Sequence, residues 1–252
     1  MTTAHDIDVE RFIADGFVKV EAAFPRETGD RIRALLWERI GLSPDRPAEW
    51  TKPVVWASDD TGQGPFAEVI GSPRLAAALD AVAGPGGWKR RGTVGNMPIR
   101  FPHPSDAGDS GWHIDQNDPG ADGAWGIVTS RPHTLLILIL FSEVGADDAP
   151  TRIRVGSHLD AARALEPYGE GGLPFFTSGP VLDAASADRP VAYATGLPGD
   201  VYVCHPFLVH AAQPHRGSRP RFMSQAPVFL AEPLRPGSPS PLGQAVRAAL
   251  PG

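Results

Sequence analysis

Cysteine is almost missing: Cys204 is the only one in 252 residues, so no intramolecular disulfide can form and the core alone must hold the fold. That scarcity suits a reducing compartment and predicts a cytoplasmic protein. Cys204 stands beside His205, which raises a metal thiolate; its apolar surroundings favour core packing instead. Positive charge is also short. With 23 Lys and Arg against 29 Asp and Glu, the formal net charge is −6, which argues against a nucleic-acid surface. The one basic cluster, Lys89-Arg90-Arg91, follows Gly-rich sequence and reads as the solvated start of a strand. Long apolar runs are absent too. The longest, 135–141, is far too short to cross a bilayer. The stretch Met1-Thr2-Thr3-Ala4-His5-Asp6 lacks a basic segment followed by an apolar one, so neither a secretory signal nor membrane residence is expected.

Glycine (28) and proline (27) are abundant by contrast, spread along the chain as turn punctuation. That spacing suits many short strands. The first 91 residues nevertheless read as helical. Asp8 can cap a turn carrying Val9, Phe12 and Ile13 that Gly16 stops. Thr28 can cap a second helix, in which Ile32, Leu35, Leu36 and Ile40 recur before Gly41, and a third covers 74–82. From Gly92 the pattern changes to strands: 93–101, 112–115, 134–141, 151–155, 191–194, 201–205, 208–211 and 222–230. A short helix opens at Ser157 and runs through Leu165, and another is expected at 242–250. The run 135–141 is apolar at every position, as in a strand covered on both faces. Helices followed by short strands predict a mainly β fold with flanking α. The architecture expected is a double-stranded β-helix (jelly roll) with N-terminal helices packed on one sheet. One domain should span 1–252, with a helical part to about 91, a jelly-roll core over about 92–230 and a tail over 231–252.

His113-Ile114-Asp115 carries the chemistry. On an extended strand, residues two apart point to the same side, so this imidazole and carboxylate enter one space. One more imidazole makes a facial triad of two His and one carboxylate, which holds Fe(II) and leaves the opposite face open for oxygen and a cosubstrate. His103, His133, His158, His205 and His215 compete for the third place with His210. His205 is the serious rival, at the end of its strand. His210 is favoured because Leu208-Val209-His210-Ala211 half-buries an imidazole that then needs a partner. Eleven residues on stands Arg221, whose planar guanidinium can grip the distal carboxylate of a chelating dicarboxylate such as 2-oxoglutarate. Arg219 is the alternative, but Pro220 marks a turn or strand start and places Arg219 outside. With Arg221 inward, Met223 and Gln225 follow by alternation.

These residues resemble the phytanoyl-CoA dioxygenase family of Fe(II)- and 2-oxoglutarate-dependent oxygenases, and the matching pieces run nearly the whole chain. Phe12-Ile13-Ala14-Asp15-Gly16-Phe17-Val18-Lys19-Val20 resembles its opening helix and strand, and Trp112-His113-Ile114-Asp115 its first metal motif. Arg154-Val155-Gly156-Ser157-His158 resembles its Gly-Ser-His segment, where His158 reads as structural. Pro198-Gly199-Asp200-Val201 with His210 and Arg221 resembles its closing segment.

The resemblance implies iron on His113, Asp115 and His210, 2-oxoglutarate anchored by Arg221, and O2 as oxidant. It implies hydroxylation of a C–H bond in a small molecule, with succinate and CO2 released. Many members carry Ser or Thr two residues beyond the distal histidine, where this chain has Ala212; Thr134 is the substitute hydroxyl we expect. Halogenating relatives have a small residue in place of the carboxylate, so Asp115 favours hydroxylation. Trp112, Gln116, Asn117 and Trp125 lie near the expected mouth, and with Gln225 are the candidate substrate contacts. An acyl-CoA substrate is not implied, since no phosphate-binding cluster stands out; secondary metabolites, amino acids or acyl derivatives fit better. Rival readings are a non-catalytic jelly-roll binding protein and a zinc-dependent hydrolase using the same triad. The second leaves Arg221 without a role.

Overall fold

Local chemistry sets the helix ends in the computed structural model, which describes residues 7–119, 123, 125–235 and 237–250. The reading of residues 1–6 lies outside the described residues. In α1 (Val9–Asp15) the Asp8 carboxylate accepts from the Arg11 N–H, and Gly16 closes the helix at φ +82°. Strand β1 (Phe17–Val20) follows at once. Helix α2 (Arg26–Ile40) starts earlier than expected: extended Pro25 precedes it, and Thr28 sits inside the first turn. Thr28 is no cap, because its hydroxyl donates to Glu68 at 2.7 Å. Ile32 and Leu36 bury the core face, while Leu35 is exposed.

Next come β2 (Val54–Asp59), α3 (Pro65–Ile70), α4 (Pro73–Ala83), β3 (Gly95–Arg100), β4 (Ile127–Val128) and β5 (Thr134–Leu140). Then follow β6 (Arg152–Arg154), α5 (Ser157–Leu165), β7 (Leu173–Pro174), α6 (Phe175–Ala185) and β8 (Val191–Tyr193). The chain ends with β9 (Val201–Cys204), β10 (His210–Ala211), β11 (Met223–Phe229) and α7 (Pro241–Arg247). The first 91 residues are not simply helical: β1 is the opening strand that the resemblance implied, and β2, which was not expected, is a correction; both belong to the main sheet. Another is α6, where Gly179-Pro180 inside the helix hid it from a propensity reading.

The strands form an antiparallel six-stranded sheet in the order β1-β9-β5-β11-β3-β2, a three-stranded sheet β10-β6-β8 and a small β4-β7 pair. This is the jelly roll. The period-2 pattern explains how it closes. Leu136, Leu138 and Leu140 of β5, Tyr202 and Cys204 of β9, and Met223 of β11 pack inward against Ile153 of the small sheet. Leu135, Ile137 and Ile139 point the other way, onto Phe12, Ile32, Leu36 and Leu79 of the helices. An alternating strand would have left one of these faces wet; β5 is covered twice, hence its unbroken apolar run. No helix among the described residues is long and apolar enough to cross a membrane.

Candidate metal and cosubstrate site

Segment 112–115 is not the regular strand expected. It touches the small sheet at one point, a bridge where His113 N–H donates to His210 C=O (3.0 Å) and His210 N–H to His113 C=O (2.8 Å). Directly paired residues across an antiparallel ladder project their side chains to the same side. The two imidazoles therefore meet, 4.6 Å apart between ring centres. β10 pairs in turn with β6, His210 opposite Ile153, so both histidines sit on the row that faces the sandwich interior. Ile114 points away into a second core with Phe207, Val209 and Leu182, which clamps the motif from behind.

The donor atoms of His113, Asp115 and His210 all lie within 4.8 Å of one another. Each imidazole is pinned by Nδ1, in His113 to the Gly111 carbonyl (2.8 Å) and in His210 to the Leu208 carbonyl (3.0 Å). A carbonyl only accepts, so Nδ1 carries the proton and Nε2 presents its lone pair. Nε2 of His210 is buried and lacks any hydrogen-bond partner. Its nearest charged neighbour is Asp115 Oδ1 at 3.6 Å, and His113 Nε2 is 3.8 Å from the same oxygen. That unmet buried lone pair, beside a second imidazole and a carboxylate, fits a divalent metal. The charges are mutually tuned. Burial lowers the His210 pKa, but Asp115 outweighs it and the net shift is upward. Burial raises Asp115, and the two histidines outweigh that to bring it down. His113 is lowered, by burial first and then by His210.

His205, the rival, has both nitrogens occupied: Nε2 faces the Leu242 carbonyl at 3.2 Å and Nδ1 accepts from the Phe207 N–H at 3.1 Å. Cys204 is buried in the inner core, and burial pushes its thiol pKa up, which disfavours a thiolate. His158 bonds the Ile13 carbonyl at 3.1 Å, tying α5 to α1.

His113 and Asp115 line an open cleft that Arg221 also lines, while His210 lines a small inner cavity shared with Asp115, Asn117 and Thr134. Arg221 is 2 % exposed. Its Nη1 donates to the Ala149 carbonyl and its Nη2 to the Pro98 carbonyl at 3.5 Å, while Nε has no partner. Ala149 sits at φ +52°, a backbone strain that aims its carbonyl at this guanidinium. Next to it, Arg100 is neutralised by Asp109. Among the described residues no carboxylate pairs with Arg221, and burial followed by Arg100 pushes its pKa down. A buried cation without a counter-ion is a receptor for an anionic group. Arg219 lies outside, paired with Glu143 at 3.3 Å.

The phytanoyl-CoA dioxygenase (PhyH) family model matches residues 12–223. The chain belongs to this family. No functionally curated protein matches it in sequence. Among solved structures it is similar to the non-heme α-ketoglutarate-dependent carbocyclase SnoK from nogalamycin biosynthesis, with a TM-score of 0.66, 18% identity, and 94% of this chain and 90% of that one covered. It is also similar to the epimerase SnoN in complex with Fe3+, α-ketoglutarate and nogalamycin RO (TM-score 0.58, 17% identity, 88% and 81% covered). HygX from Streptomyces hygroscopicus with nickel, 2-oxoglutarate and hygromycin B is a third (TM-score 0.54, 15% identity, 89% and 87% covered).

Within this PhyH-family chain, several expected contacts fall elsewhere. Thr134 pairs with Phe229, 229 − 221 = 8 residues along β11 from Arg221. At the rise of a strand that is on the order of 25 Å, so Thr134 stands apart from Arg221 and lines the inner cavity with Asp115, Asn117 and His210. Thr151, missed from sequence, lines the cleft with Arg221; it is buried, and its hydroxyl meets only the Met223 sulfur at 3.8 Å. Asn117 is structural, its side-chain amide exchanging hydrogen bonds with Thr129 (2.9 and 3.2 Å). Trp125 packs on Phe229, at the far end of β11. Gln116 is half-buried and outside the cleft lining, whereas Gln225 lines it as the alternation requires. Trp112 reaches the cleft wall, yet the guanidiniums of Arg152 and Arg154 flank its ring at 4.6 and 4.3 Å, which makes it a packing post. The cleft residues missed entirely include Trp56, Arg100, Asp109, Phe175, Phe176 and Asp183.

Proposed function

We propose that this protein is an Fe(II)- and 2-oxoglutarate-dependent dioxygenase that hydroxylates a C–H bond of a small molecule. The observation that carries the reading is the buried Arg221 guanidinium, without a carboxylate partner, in the cleft that His113 and Asp115 of the three-donor cluster also line. His113, Asp115 and His210 would hold the metal, and Arg221 the distal carboxylate of the cosubstrate, with Thr151 in the part expected of Thr134. When bound, iron and 2-oxoglutarate supply an oxidant from O2, with succinate and CO2 as co-products. The chain's own residues hold and orient. The Gly111 and Leu208 carbonyls keep each Nε2 free of protons, and Asp115 offsets part of the metal's charge. The Phe175 ring stands edge-on to His113 at 5.6 Å and screens that side from water. The Asp115 carboxylate occupies the position a halide would need, which favours hydroxylation over halogenation. One domain, a small-molecule partner and a cytoplasmic setting, given the buried free thiol, complete the proposal.

A zinc hydrolase gives Arg221 no task, and a binding protein without turnover gives the unmet His210 Nε2 none. Adding Fe(II) and 2-oxoglutarate to anaerobic protein should produce the weak visible charge-transfer band of the chelate. Correctly folded protein that shows no band would sink the reading, as would a band that survives Arg221→Ala at unchanged affinity. Succinate release measured across a panel of small molecules then identifies the substrate.

A further inference from the structure

The cleft has a polar floor and an aromatic mouth. On one side α6 brings Phe175 against His113 and Phe176 against Phe175, the two phenyl rings 5.4 Å apart and edge to face. Phe176 is left 90% exposed. On the other side Trp56, on the edge strand β2 and in register with Pro98, is 61% exposed. Both line the same cleft. Isolated exposed apolar residues need no explanation, but two large aromatic rings from different elements lining one cleft beside His113 and Asp115 give it an aromatic rim suited to an apolar ligand.

Charge narrows what fills it. Of the cations lining the cleft, Arg100 is held by Asp109 and Arg221 is turned to the Ala149 and Pro98 carbonyls at the floor. Asp183 at the wall is held by Arg154 at 2.6 Å. Among the described residues the mouth therefore offers no free cation for a phosphate. Lys89-Arg90-Arg91 cannot help. Arg91 lies with Ile137, Ile139 and Val228, on the helix-covered face of the main sheet, opposite the face that carries Gln225 and Arg221 to the cleft.

We infer that the substrate is a flat, apolar ring system without phosphate groups, held between Trp56 and Phe176 with its reacting carbon directed at the triad. This rests on the dioxygenase reading for the chemistry at the floor and stands on the rim residues for the grip. Flat π faces stack on aromatic rings, while a saturated polyol gains little there and a coenzyme A thioester would bring phosphates to a mouth without cations.

The test is equilibrium dialysis of the full chain, both loaded anaerobically with Fe(II) and 2-oxoglutarate and free of metal. The probes are 1,8-dihydroxyanthraquinone, octanoyl-CoA and kanamycin. The anthraquinone should bind saturably in both forms, and the other two should not. Trp56→Ala and Phe176→Ala should each weaken anthraquinone binding about tenfold, and Trp56→Phe should restore most of it. Both side chains are exposed, so truncation leaves the core intact, as the thermal midpoint will verify. Absent anthraquinone binding, binding indifferent to the double variant, or tighter binding of octanoyl-CoA or kanamycin would each overturn the inference. The chelate band of the unmodified protein separates the two readings: a band without anthraquinone binding defeats the aromatic grip alone, and binding without a band defeats the dioxygenase alone.

Discussion

Arg221 and Thr151 line one cleft, and the proposed cosubstrate site assigns them charge and a hydroxyl respectively. Removing the guanidinium in Arg221→Ala should weaken 2-oxoglutarate binding on the order of 100-fold, since a buried charge-assisted pair is lost. Titration of the chelate band measures it. Thr151→Val keeps the shape and deletes one hydroxyl, so the loss should be about tenfold, with metal affinity unchanged in a calorimetric titration. An unaltered 2-oxoglutarate affinity would return Thr151 to a packing role. His158 gives a prediction of another kind. Burial lowers its pKa to about 4, and its Nδ1 is buried without a partner. A histidine with a depressed folded pKa stabilises fully above its ordinary value near 6.5, and that contribution is lost as pH falls toward 4. The gap is worth about 3 kcal/mol. Urea denaturation at intervals from pH 7 to 4 should show the decline, and His158→Asn should flatten it; an equal slope in the variant would refute the assignment.

Elements place these residues by turns and pins. Gly16 ends α1 at φ +82° and accepts from the His205 N–H at 2.7 Å. A Cβ there would stand 2.5 Å from His158 Nδ1 and 2.9 Å from Leu208 Cδ1. Gly16→Ala should therefore cost about 2–3 kcal/mol, from the left-handed backbone and the overlap together, read as a lower denaturation midpoint. The helix around Gly16 was legible because cap, apolar spacing and stop are all local. Helix α6 was not: Pro180 cannot donate to the Phe176 carbonyl, and only packing offsets that. Arg154 supplies part of it, reaching from β6 to the Asp183 carbonyl and carboxylate and to Ser186. The stretch 112–115 was read as a strand, and the inward direction of His113 and Asp115 came out correctly all the same. One bridge to His210 and the burial of Ile114 do the work of a regular ladder.

For the whole molecule, the metal cluster joins segments 95 positions apart, Asp115 and His210. Metal that binds only the folded chain must stabilise it. At 100 times its dissociation constant the gain is about 2.7 kcal/mol. For a chain of this length that raises the midpoint by roughly 5–10 °C. Anaerobic scanning fluorimetry with Fe(II) should show this shift, EDTA should reverse it, and Asp115→Ala should abolish it. A shift that persists in Asp115→Ala would place the metal elsewhere.

Composition, the His-x-Asp motif, the doubly covered β5 run and the Arg221 position were all readable without coordinates, because each rests on local periodicity or on the chemistry of single side chains. The partners of those residues were not. Thr134 and Thr151 look alike in the chain, and only the folded structure shows that Thr151 shares a cleft with Arg221 while Thr134 lines the inner cavity with Asp115 and His210. Trp56 and Phe176 carry no local sign of lining one cleft, since they lie on different elements, 176 − 56 = 120 positions apart in sequence. Sequence by itself singled out His113, Asp115, His210 and Arg221 as the candidate groups for metal and cosubstrate. Tertiary structure decided which of them meet, because burial and pairing register are properties of the closed sandwich and not of any one strand.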